Sequence, residues 1–97
     1  MATRDSNLYG KIVVTNRAIC SVADSVIAES YGVSKGRVSH ILVEDNKIHL
    51  ALSLTLKFGV TPRAITDSIR AAVKYNVENF TGMRVEMLNI NVIGIEE

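Results

Sequence analysis

The side chains best suited to general acid–base or metal chemistry in this chain are Asp24, His40, His49, Asp67 and Glu78. Catalysis needs such groups to converge on one reacting atom, and their spacing does not bring them together. Asp24 sits in one helical stretch and Asp67 and Glu78 in another. Only His40 and His49 fall close, nearly opposite each other across a hairpin turn, where the pair could touch. That arrangement predicts a surface cross-strand pair rather than a metal or acid–base centre. The single Cys20 excludes an internal disulfide. Its neighbours are small and none would hold a thiolate, so a packing role is expected. No hydrolase, transferase or metal-dependent activity is expected, and no catalytic, cofactor or metal site.

The elements that carry these residues are organised around Ile48 to Phe58, IHLALSLTLKF. Ile48, Leu50, Leu52, Leu54, Leu56 and Phe58 share one parity, and His49, Ala51, Ser53, Thr55 and Lys57 share the other. This is a period-2 strand with one apolar face, about 36 Å long at roughly 3.3 Å per residue. An amphipathic layer must cover that face. Upstream, Met1 to Leu8 shows no periodicity and is expected to be a flexible tail, with residues 9–97 forming one domain. The β-branched run Lys11 to Val14 predicts a first strand, and Thr15-Asn16 can cap the helix that follows, from Arg17 to about Ser30. Tyr31 to Gly36 looks like a connector, Val38 to Val43 like a second strand, and Glu44 to Lys47 like the turn into the long strand.

Gly59-Val60 ends the long strand, Thr61 offers a capping hydroxyl, and Pro62 suits the first turn of a second helix. Ile65, Ile69, Ala72, Val73, Val77 and Phe80 form the helix's apolar stripe, and Arg63, Asp67, Arg70, Lys74 and Glu78 its polar one. Gly82 closes it. The final strand, Met83 to Ile95, changes phase after Met87, which predicts either a bulge or burial on both faces. Leu50, Leu52, Leu54, Leu56, Ile65, Ile69, Val73 and Val77 are expected in the core.

Thr15 and Thr61 open the two helical halves 46 residues apart, and Gly36 and Gly82 keep the same offset. Two strand-helix-strand halves joined by a hairpin predict an α+β fold, a two-layer β-α-β-β-α-β sandwich with both helices on one face of a mixed sheet. The other sheet face would be open. Self-association is expected there or along the edge of the last strand, through Leu88, Ile90 and Val92. The charged face of the second helix is then free for another protein.

The stretch GKIVVTNRAICSVADSVIAESYGV, and more specifically KFGVTPRAITDSIRAAVKYNVENFTGMRVEMLNINVIGI, resembles the alkaline-shock, general-stress protein family of mostly Gram-positive bacteria. The telling features are the glycine before the second helix, the spacing of Val73, Val77 and Glu78, Thr81-Gly82, and the closing Asn89-Ile90-Asn91-Val92 with Gly94-Ile95. Departures are Arg17-Ala18, where relatives often carry an acidic and an apolar residue, and shorter tails. The resemblance implies a non-enzymatic, self-associating cytoplasmic protein linked to cell-envelope stress. In some relatives a small membrane-spanning partner holds it near the membrane. It implies no catalytic residue.

Composition weighs against other classes. Eleven basic and ten acidic residues give a formal charge of +1, which supplies no long-range attraction to nucleic acid or an anionic bilayer. With 47% hydrophobic residues and a mean hydropathy of +0.20, the chain can build one core. No apolar run approaches the roughly 20 residues of a membrane span, so no direct insertion is expected. The same topology serves RNA-recognition domains, but the open parity of the long strand has no aromatic to stack a base. A nucleic-acid-binding or small-ligand-sensing regulatory domain is the alternative, the latter through loops at Gly32, Gly36 and Gly59-Val60.

Overall fold

The computed structural model describes residues 15–97, and the expected tail (1–8) and first strand (11–14) lie outside the described residues. Five elements follow: α1 (Asn16–Ala28), β1 (Val33–Glu44), β2 (Lys47–Lys57), α2 (Pro62–Thr81) and β3 (Arg84–Glu96). Thr15 begins α1 by accepting a hydrogen bond from the Ala18 N–H at 3.1 Å. Thr61 begins α2 without such a bond, with Pro62 in the first turn. The 46-residue repeat therefore holds at both helix starts. Thr15→Ala is expected to cost about 1 kcal/mol, a far larger loss than Thr61→Ala, as thermal melts would measure.

The described strands form one sheet in the order β1-β2-β3, antiparallel across the first pair and parallel across the second. Asp45 and Asn46, with φ of 52° and 64°, make the two-residue turn of the β1–β2 hairpin. Helix α2 is the crossover that the parallel pair needs. Ile48, Leu50, Leu52, Leu54 and Leu56 of β2 are buried under Ile19, Ala23 and Ile27 of α1 and Ile65, Ile69, Val73 and Val77 of α2. The molecule is an α+β two-layer sandwich with both helices on one face of a mixed sheet, and the eight expected core residues are all in its core. Phe58, which the alternation placed with them, lies one residue beyond β2 and is 70% exposed. Phe80 at the end of α2 is also exposed.

Strand β1 starts at Val33, five residues before the expected Val38, and contains Gly36. The turn out of α1 is made instead by Gly32, at φ +84°. Gly36 serves close packing. A Cβ built on it would lie 2.6 Å from Leu54 Cδ2 and 2.8 Å from Ile27 Cγ2, so the strand can pass under α1 only without a side chain there. This is why the 46-residue offset of Gly36 and Gly82 does not mark equivalent helix ends: Gly82 is a left-handed cap at φ 74°.

The phase change in β3 is resolved by bulges. The register against β2 skips one residue at Glu86 and again at Ile93. Val85, Leu88, Ile90, Val92 and Ile95 consequently pair with Ile48, Leu50, Leu52, Leu54 and Leu56, all on the helix side of the sheet. The strand does not present large groups alternately to both faces, and Leu88, only 8% exposed, belongs to the core.

Candidate interaction surface

The five acid–base candidates do not meet. The hairpin register sets His40 opposite Ala51 and His49 opposite Leu42, two residues out of step. His49 Nε2 instead lies 3.1 Å from Glu86 Oε1, and Lys47 Nζ is 3.4 Å from Glu86 Oε2. Sequence reasoning missed Glu86 because strict alternation hides a bulged residue; its signal was the phase change next to it. His49 and Lys47 hold the Glu86 carboxyl below the usual carboxylate range. Asp24 is engaged structurally, its Oδ1 accepting from the Val38 N–H at 3.2 Å. Partial burial, and then the neighbouring Asp24, pushes the Cys20 thiol up. No group of three or more His, Cys, Asp or Glu side chains gathers among the described residues.

The charged stripe of α2 is exposed but largely occupied. Arg63 and Asp67 form a long i,i+4 pair at 4.0 Å with both side chains in water. Arg70 donates from Nη1 to the Leu88 carbonyl. Glu78 Oε2 takes Lys74 Nζ at 3.1 Å and the Val85 N–H at 2.9 Å. The stripe thus lies along β3, and two of its members bond to that strand's backbone. The Val85 N–H and Lys74 hold the Glu78 carboxyl below its ordinary range. Its stabilising contribution is therefore present above the unfolded-state pKa of about 4.3 and is lost as pH falls through the lower folded value. Glu78→Gln is expected to flatten the acid limb of stability below about pH 4.5. Denaturant melts at pH 3.5 and 7 measure it, and an unchanged acid limb would place the loss on other carboxylates.

Of the three residues expected to support self-association, Leu88 is buried, Ile90 half-buried and Val92 39% exposed. Large exposed apolar side chains nearby are Ile93, Ile95 and Phe58. On the helix-free face, Lys35, Arg37, Ser53, Thr55 and Ile93 line an open depression of about 190 Å³. Thr55, at the same depression, is buried although it faces away from the helices. None of the described strands contains Phe, Tyr or Trp. No described helix is long and apolar enough to cross a membrane.

These features define a small α+β domain with an exposed sheet edge and no convergent reactive centre among its described residues. Residues 38–97 match the model of the alkaline shock protein 23 family, whose description is a cell envelope-related function, and the chain belongs to that family. The match contains β2, α2 and β3, and so includes the stretch from Lys57 to Ile95 where the sequence resemblance was most specific. The chain is 25% identical over 107 residues to the YloU protein of Bacillus subtilis (strain 168), covering 90% of this chain and 89% of that one. Solved structures of MamM C-terminal domain variants have the same fold: one at TM-score 0.56 with 18% identity over 82% of this chain and 95% of that chain. Another, titled a copper form, gives 0.53 with 18% identity over 82% and 98%.

Proposed function

We propose that this protein is a non-enzymatic interaction and scaffold protein of the bacterial cell-envelope stress response, working in the cytoplasm by self-association and by binding a membrane-anchoring partner. Membership of a family with a cell envelope-related function is the observation that carries this reading. Exposed Val92, Ile93 and Ile95 on β3, whose far edge meets no other described strand, supply a surface for association. Since no described helix can cross a bilayer, membrane residence would come through a partner. Co-purification from native cells at low salt tests the proposal. Recovery with a small membrane protein and with further copies of itself is expected, and recovery from the soluble fraction alone as a monomer would overturn it.

The depression on the helix-free face favours a second reading, sensing of a small anionic ligand, because two cationic side chains and two hydroxyls border it. Nucleic-acid binding is expected to be weak, since no described strand offers an aromatic platform. Submicromolar affinity for single-stranded RNA at physiological salt, lost on Lys57→Glu, would reverse that expectation.

A further inference from the structure

We propose that two copies pair edge to edge along β3, antiparallel about a twofold axis at Ile90, extending the described sheet from three strands to six across the dimer. The inference deepens the self-association reading above and rests on it. It begins with a symmetry in the strand itself, RVEMLNINVIGIE. Reversed about Ile90, the strand matches itself in kind: Arg84 falls opposite Glu96, Val85 opposite Ile95, Leu88 opposite Val92, and Asn89 opposite Asn91. An antiparallel pair places directly opposite residues on one face of the sheet, so each match also has to agree in direction. It does, because the bulges at Glu86 and Ile93 bring Val85 and Ile95 to the helix side together with Leu88, Ile90 and Val92. Both helix layers then lie on the same side of the joined sheet.

The backbone is ready for this pairing. Among the described strands β3 pairs only with β2, and no other described strand lies against its other edge. Arg70 reaches the Leu88 carbonyl from α2, which shows that Leu88 turns its carbonyl away from β2. Alternate residues Ile90 and Val92 present their N–H and C=O groups the same way. The twofold therefore joins Ile90 to Ile90 as a hydrogen-bonded pair, and Val92 to Leu88, whose carbonyl has a second lone pair beside the one Arg70 uses.

The helix beside that edge does not oppose the approach. Arg63, Asp67, Arg70, Lys74 and Glu78 run along α2 in the mixed charge order plus, minus, plus, plus, minus. Glu78 and Arg70 already bond to β3, which fixes this stripe next to the edge. Two copies therefore bring stripes of both signs together, and the self-complementarity that a twofold interface requires comes from the strand.

Two changes to the full chain test the geometry. Val92→Pro removes an edge N–H that the sheet does not use within one copy, a site where proline is tolerated, yet it blocks pairing with a second copy. It is expected to raise the dimer dissociation constant at least tenfold in sedimentation experiments, with unchanged circular dichroism. Ile90→Cys, made with Cys20→Ser, places two thiols on the axis about 5.5 Å apart at Cα, within disulfide range, and is expected to give a covalent dimer on mild oxidation. Ser53→Cys in the same background is expected not to. Oligomers that persist in Val92→Pro with no Ile90→Cys cross-link would overturn this interface and leave self-association standing through another surface. A wild-type monomer at tens of micromolar would overturn both. If Val92→Pro fails to fold, the cross-link alone decides.

Discussion

Leu54→Ala is expected to lower the stability of the fold by about 2–5 kcal/mol. Leu54 has no exposed surface and sits in the central strand, beneath α1 and between Gly36 of β1 and Val92 of β3. Removing three carbons there forfeits their transfer from water and leaves a cavity that the neighbouring backbones cannot close, because two strands flank it. For a domain of this size the shift in Tm would be on the order of 10–30 °C. Chemical denaturation with an unchanged m-value is the measurement. A midpoint that does not move would mean that β2 does not face the helices.

Gly36→Val is expected to have a comparable effect from the opposite cause, about 3 kcal/mol of overpacking. The first carbon of any side chain at Gly36 meets Leu54 Cδ2 at 2.6 Å, Ile27 Cγ2 at 2.8 Å and the Ser53 carbonyl at 3.1 Å. Two of these neighbours are side chains with some freedom, but the third is backbone of the central strand. The two substitutions should therefore be non-additive. Gly36→Ala combined with Leu54→Val is expected to be more stable than the sum of the single losses, because trimming Leu54 opens the space the new methyl needs. Rescue should be partial, since the Ile27 contact remains. A strictly additive double-mutant cycle would show that the clash is relieved elsewhere.

The alternation from Ile48 to Leu56 and the stripe from Ile65 to Val77 were legible because each repeats at the period of its own element, and one buried layer rewards that period directly. Phe58 was misplaced for the complementary reason: the periodicity continues past the end of β2, and parity alone does not show that the side chain there lies beyond the buried layer. Gly36 could not be read because a glycine needed for close approach looks like one needed for a turn until the element above it is known. The same limit applied to Glu86, whose position beside His49 and Lys47 depends on a bulge that sequence allowed but could not locate. Of the candidate surface, the charged stripe of α2 was visible as a stripe. Its bonds to β3 were not, since they join residues as far apart as Arg70 and Leu88. Leu88 itself was assigned to the open face because the phase change was followed literally rather than through the bulge that absorbs it.

The bulges of β3 give the strand something like a reading frame. Each skipped residue shifts the alternation by one, and two of them restore it, so Arg84-Val85 and Ile95-Glu96 face as they would in an unbroken strand while the segment between is set one step out of phase. Deleting Glu86 would join Val85 to Met87, which already face opposite sides of the sheet, so the strand would run on in its present pairing without the bulge. Deleting a residue that pairs has the opposite effect: loss of Asn89 would invert the residues that follow as far as the second bulge, turning Ile90 and Val92 outward. The frame is thus kept when the lost residue is one the pairing skips and shifted when it is one the pairing uses.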